Sequence, residues 1–177
     1  MEHERQRQLG ARDASRVLVI TGLAHTALHV TDVEAAVEWY RDVLGFTVLS
    51  PPYRMEGDEI TRDMGELLPS PVVVKAAIIG VDGESDRVIE LIEYPEMDPD
   101  GPAPAAVTRL GFTHVALLCD DVGESRAELE GKGVRFLVAH VAEVAGLRTA
   151  WFADPWENVF ILVEKLRRPD RPYYRQY

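Results

Sequence analysis

Two apolar runs, residues 23–30 and 112–119, are bounded by turn signals, and each leads into a segment of helical spacing. The pattern predicts a strand followed by a helix in both places. After the first run, Thr31 or Asp32 can cap a helix whose apolar positions are Val33, Ala36, Val37, Tyr40, Val43 and Leu44. Gly45 suits the position where a helix turns left-handed and stops. The second helix, from about residue 122 to 133, is less amphipathic, with Glu124, Arg126, Glu128 and Glu130 facing water. Three further strands follow in each half, at about 46–50, 72–81 and 87–94, and at about 134–138, 147–153 and 158–165. Each half therefore reads as βαβββ.

The two halves also align as sequence. His25-Thr26-Ala27-Leu28-His29-Val30-Thr31-Asp32-Val33 and His114-Val115-Ala116-Leu117-Leu118-Cys119-Asp120-Asp121-Val122 share H-x-A-L-x-x-x-D-V without a gap, at an offset of 89 residues. A second shared pattern, V-x-x-L-x-E, begins at Val88 and Val159, an offset of 71. The first copy thus holds 18 more residues, which fit the stretch 50–72 with its four prolines. That stretch gives no periodic signal. The resulting organisation is a polar extension over 1–21, a first module over 22–94, a linker over 95–111 with Pro95, Pro99, Pro102 and Pro104, a second module over 112–166, and a tail over 167–177.

Composition narrows the function. A net charge of −11 argues against a nucleic-acid surface, which needs concentrated Lys and Arg. No window approaches the roughly 18 apolar residues of a membrane span, and the N-terminal residues have no apolar signal segment. A cytoplasmic setting is the expectation. The single cysteine, Cys119, lies in an apolar run and reads as a small core residue. The tail Arg167-Arg168-Pro169-Asp170-Arg171-Pro172-Tyr173-Tyr174-Arg175-Gln176-Tyr177 is rich in Arg and Tyr, residue types enriched at interfaces, and reads either as a docking segment for a second subunit or as a frayed basic end.

Strand parity picks out the candidate chemistry, because alternate residues share a face. His25, Ala27 and His29 share one; so do His114, Ala116 and Leu118; so do Val88, Glu90 and Ile92, which leaves Glu93 opposite. Glu90 therefore sits on an otherwise apolar face, where a carboxylate must be paired, protonated or metal-bound. One inward histidine is ordinarily a hydrogen-bonded core residue. Two at repeat-equivalent positions, together with that carboxylate, favour a divalent Fe, Mn, Co, Ni or Zn site formed by His25, Glu90 and His114. In the second V-x-x-L-x-E copy, Ile161 stands where Glu90 stands in the first, and Glu164 has the opposite parity.

The pieces "HTALHVTDVEAAVEWYRDVLGF", "RVIELIEYP", "THVALLCDDV" and "ADPWENVFILVE" resemble the vicinal-oxygen-chelate superfamily of glyoxalases, bleomycin-resistance proteins and extradiol dioxygenases, over residues 22–166. The general pattern is most similar to glyoxalase I and methylmalonyl-CoA epimerase. The resemblance implies an α+β fold of two tandem βαβββ modules forming a cup-shaped, partly open β-barrel with helices outside, and one divalent metal ion. It places the metal ligands at His25, Glu90, His114 and position 161, so that Ile161 marks a lost fourth ligand. It also sets Glu157 at a turn position often held by Gly, where a left-handed backbone costs a non-Gly residue roughly 1 kcal/mol.

Three functions follow as expectations. Glyoxalase- and epimerase-like relatives are lyases or isomerases that move a proton beside a carbonyl, with the metal as Lewis acid and a carboxylate as base, a role open to Glu90. Two histidines and one carboxylate leave about three coordination positions open, as in an Fe(II) or Mn(II) extradiol-type dioxygenase. The third function is a non-catalytic small-molecule (antibiotic) binding protein. His29 is a candidate base or outer-sphere donor, or else a rim histidine. Arg148 is a candidate for holding an anionic substrate, or else a solvated surface residue. Tyr40 belongs to the helix core stripe, while His140 and His3 fall in a loop and the N-terminal extension. The expected partners are a small-molecule substrate and a second copy in a homodimer, with no nucleic acid and no membrane.

Overall fold

The computed structural model describes residues 23–81, 88–98, 111–144 and 146–166. The first module contains β1 (His25–His29), α1 (Val33–Asp42), β2 (Thr47–Glu56), α2 (Asp58–Met64), β3 (Val73–Gly80) and β4 (Val88–Glu93). The second contains β5 (Val115–Leu118), α3 (Val122–Gly131), β6 (Arg135–Phe136), β7 (Ala142–Val144), β8 (Leu147–Ala153) and β9 (Val159–Lys165). The fold is α+β, and the repeat holds in space. One sheet has the order β1-β4-β3-β2, and the other β5-β9-β8-β6 with β7 also on β8. In both, the first strand runs parallel to the last, beside it at the sheet edge. Among the described residues the two sheets are not joined into a closed barrel.

Three segments depart from the pattern. β2 continues through Pro51 and Pro52 to Glu56, where the sequence predicts a strand ending near 50. It is an edge strand, and an edge tolerates prolines because one side of its ladder needs no N–H. The unread stretch that follows contains α2. In the second half, the strand expected over 134–138 contracts to two residues, and β7 takes up the rest of the β8 edge.

Both long helices start by the same device. Asp32 and Asp121 accept from the backbone N–H of Ala35 (2.9 Å) and Glu124 (2.8 Å), as N-caps do. The last Glu of each V-x-x-L-x-E strand then takes another orphan donor: Glu93 accepts from Val33 N at 2.9 Å, and Glu164 from Val122 N at 3.0 Å. α1 ends as its sequence predicts, with Gly45 at φ 74°.

One core serves both halves. Leu28, Ile79, Ile89 and Leu91 from the first sheet, Val33, Val37 and Tyr40 from α1, and Phe152, Phe160 and Leu162 from the second sheet form a single buried cluster. The helix-side faces of both sheets are thus turned toward shared packing. Their opposite faces, which carry the histidines, point away from it, and Ala27, His29, Ala116 and Leu118 on them are exposed. Position in the core has tied Tyr40 to the other half: its hydroxyl donates to Asp154 Oδ2 at 2.6 Å.

Candidate metal centre

The first half-site is built on adjacent strands. β1 pairs in parallel with β4, with Ala27 opposite Glu90 and His25 opposite Val88. His25 and Glu90 point to the same side, and His25 Nε2 lies 3.3 Å from Glu90 Oε2. The imidazole is 47% exposed and the carboxylate 16%. A half-exposed ring beside a mostly desolvated carboxylate has two ligand atoms converging on open space. Ile78, opposite Glu90 on β3, and Ile92 make the surroundings apolar.

Two phenols border Glu90. Burial pushes the pKa of Tyr53 and Tyr94 up, and the Glu90 carboxylate adds to both shifts. His29 packs edge-on against Tyr94, with ring centroids 5.1 Å apart. Burial lowers its pKa, opposed by the charge of Glu93, so at neutral pH the His29 ring is an uncharged imidazole.

The second half-site carries His114, immediately before β5. Its Nδ1 is 2.8 Å from Thr113 Oγ1, which leaves Nε2 as the ligand atom, and its ring packs edge-on against Trp151 with centroids 4.8 Å apart. Fixing one ring nitrogen in this way is how metal-binding imidazoles are commonly oriented. Ile161 lies between Ala116 and Trp151 in register and is 8% exposed. With Leu147, Val163 and Trp151 it forms a small apolar cluster on the His114 side of the sheet. Hydrocarbon fills the place of the repeat's second carboxylate.

One chain brings His25 and Glu90 together but does not bring His114 to them. Among the described residues, the metal-capable group of three with ligand atoms within 4.8 Å of one another is Asp32, Glu34 and Glu93. That cluster is a helix cap: Lys75 Nζ pairs with Glu34 (2.5 Å) and Glu93 (3.4 Å), and Glu93 also holds Val33 N. Neither of two surface cavities includes a histidine. One, of about 400 Å³, is lined by Leu118, Cys119, Asp120, Glu164 and Lys165, and the other, of about 220 Å³, by residues of the stretch 68–73 with Glu96 and Met97.

Other candidates fall elsewhere. Arg148 is opposite Glu164 on β9 and pairs with it at 3.4 Å, so it belongs to the α3 cap on the face away from His114. Glu157 has φ 67° and its carboxylate binds Arg135 Nη2, so it is not a substitute ligand. His140 is exposed between β6 and β7. Cys119 is half-buried, and burial raises its thiol pKa. His3 and the Arg/Tyr tail over 167–177 lie outside the described residues. Of the residues that the sequence reading missed, Tyr94 was readable by parity as the next position after Ile92 on the Glu90 face. Trp151 was readable in the same way only with the β8 register known.

Comparison with known proteins agrees with this architecture. The family model described as Glyoxalase/Bleomycin resistance protein/Dioxygenase superfamily matches residues 22–162. The chain is 30% identical over 132 residues to the protein YaeR of Escherichia coli (strain K12), covering 74% of this chain and 86% of that one. It superposes on the crystal structure of a glyoxalase family protein from Bacillus cereus with a TM-score of 0.69 at 19% identity, covering 86% of this chain and 98% of the other. It superposes on the trypanothione-dependent glyoxalase I of Leishmania major with a TM-score of 0.52 at 19% identity, covering 82% and 88%.

Proposed function

The chain belongs to the glyoxalase/bleomycin resistance protein/dioxygenase superfamily, and from that premise we propose that it is a divalent-metal enzyme whose site is shared between two copies. His25 and Glu90 of one copy and His114 of the other would hold the ion. The observation that carries this reading is the 3.3 Å approach of His25 Nε2 to Glu90 Oε2 on an exposed face turned away from the shared core. Among the described residues β1 and β5, the strands at and beside the histidines, are sheet edges, so a second copy can lay its β5 edge along β1. The donor set fits the ion. Two neutral imidazoles and one carboxylate suit Fe, Mn, Co, Ni or Zn, and a carboxylate flanked by isoleucines gains from a cation beside it.

The reaction we propose is of the lyase or isomerase type on a small oxygenated substrate. The metal, when bound, supplies Lewis acidity toward substrate oxygen. The chain's own residues supply the rest. His29 is an uncharged imidazole two face positions along β1 from His25, suited to take a proton from carbon and return it. Tyr94 holds its ring orientation. Glu90 remains a ligand, and its contact with His25 keeps it from acting as a free base.

A second reading, a dioxygenase, is favoured by one observation: Ile161, buried in hydrocarbon, stands where the repeat would place a second carboxylate. The test is elemental analysis of anaerobically purified protein beside Glu90→Ala, followed by oxygen uptake with substrate screens. Near-stoichiometric metal in the wild type and none in the variant is expected, with turnover that consumes no O₂. O₂ consumption coupled to turnover would select the dioxygenase. A wild type that takes up no metal after reconstitution would overturn both and leave a small-molecule binder.

A further inference from the structure

The two repeat-equivalent histidines are held in unequal ways. His25 lies inside a strand ladder, opposite Val88 on β4, and its Nε2 meets Glu90. His114 stands one residue before the β5 ladder, which begins with Val115 opposite Phe160. It also lacks the carboxylate neighbour, because Ile161 occupies the place that Glu90 holds in the first half. The torsion that turns an imidazole about its Cβ–Cγ bond is broad and roughly two-fold. His114 therefore depends on side-chain contacts to fix which way each ring nitrogen points.

Two contacts do this. Trp151 meets the ring edge-on, with centroids 4.8 Å apart, and limits its tilt without distinguishing its nitrogens. Thr113 Oγ1 does distinguish them, lying 2.8 Å from Nδ1 in a part-buried contact. At the 89-residue offset the residue aligned with Thr113 is Ala24, whose methyl can neither donate nor accept. The hydroxyl thus stands in the half whose carboxylate is missing. A threonine suits the task, since its branched Cβ restricts χ1 and holds the hydroxyl in place.

The bond can be made in two ways, and they differ in chemistry. If Thr113 donated to Nδ1, the neutral ring would carry its proton on Nε2, and that nitrogen would be closed to a cation. If Nδ1–H donates to Oγ1, the Nε2 lone pair is open; this is the arrangement that metal-binding imidazoles use. We propose that Thr113 is a positioning residue that holds metal-free His114 as its Nδ1–H tautomer, making His114 the pre-formed ligand of the site. This rests on the metal-enzyme reading above. In the first half Nε2 of His25 already faces Glu90, so that contact must open as a cation enters, whereas the second half is ready.

The test uses the full chain labelled with ¹⁵N-histidine, the His114 signals being assigned as those lost in His114→Gln. Imidazole NMR of the metal-free protein should place the His114 proton on Nδ1 in the wild type and on Nε2 in Thr113→Val, which keeps the side-chain shape and removes the hydroxyl. Affinity for Zn(II), read by competition with a chromophoric chelator, should fall at least about tenfold in Thr113→Val and return to within about threefold of wild type in Thr113→Ser. A wild type with the His114 proton on Nε2, or a Thr113→Val variant that binds Zn(II) as tightly as wild type, overturns this inference and leaves the metal site standing. A wild type that takes up no Zn(II) removes both, because sites of this kind hold Mn and Fe more weakly still.

Discussion

The Tyr40 hydroxyl and Asp154 Oδ2 meet at 2.6 Å, joining the helix of the first half to the turn before the last strand of the second. Both groups are buried. Asp154 also accepts from Trp156 N, Asn158 N and Asn158 Nδ2, so one carboxylate organises the whole turn. Tyr40→Phe removes one donor and leaves the carboxylate short of a partner. A loss of about 2 kcal/mol is expected, read as a lower urea midpoint with unchanged m-value.

The same carboxylate gives stability a pH component. Burial pushes the Asp154 pKa above its ordinary value, although Tyr40, Asn158 and Trp156 pull it down. The folded chain therefore binds this proton more tightly than the unfolded chain does. Its contribution is complete below the unfolded carboxyl value and is lost as pH rises through the folded one. Asp154→Asn removes that linkage. The urea midpoint of the wild type relative to the variant should rise when both are measured near pH 4 instead of pH 7; an equal gap at both would show that Asp154 binds its proton no more tightly when folded.

The facing of these side chains could be read from sequence, because strand parity is a local property. His25, His29 and Glu90 needed only alternation and the repeat, and Glu93 and Glu164 were correctly set on the opposite face. Tyr53 was not readable, because two bulges reset the parity of β2 and only the partner strand reveals them. The choice for Arg148 between an anionic-substrate role and a solvated surface position was left open for a related reason. Its face depends on β8, and its partner Glu164 was already committed to a helix N-terminus. The separation of His114 from His25 was likewise beyond reach. The repeat makes the two histidines equivalent, but which faces share a core is decided by packing such as Tyr40 against Phe160.

Backbone conformation at two turns can be tested by opposite substitutions. Gly45 has φ 74° and open space where a Cβ would stand, so Gly45→Ala should cost about 1 kcal/mol from conformation alone. Glu157 has φ 67° and carries that strain already. Glu157→Gly relieves it but loses the exposed contact with Arg135 and adds unfolded-state entropy. Its net change should stay within about 0.5 kcal/mol, measured by thermal melts of both variants beside the wild type.

Restoring the missing carboxylate should have a split effect. Ile161→Glu places an acid among Leu147, Val163 and Trp151. Without metal it should lose about 3 kcal/mol of stability. With metal, the added ligand should tighten binding more than about tenfold and recover much of the melting temperature. An apo variant as stable as the wild type would mean that the cluster opens readily to water, and unaltered metal affinity would remove Ile161 from the site.

The sharing of one site between two copies is open to complementation. His25→Ala and His114→Ala should each lose metal when purified alone. In a mixed dimer, one site inherits both defects, while the other combines the intact His25 and Glu90 of the His114→Ala chain with the intact His114 of the His25→Ala chain. Random pairing of co-expressed chains makes half of the dimers mixed, so about one site in four should regain metal. If a single chain held all three ligands, every site in the mixture would lack one, and metal content would stay at the level of the separate variants. Metal recovery at about a quarter of wild type therefore reports both the ligand set and its division between copies.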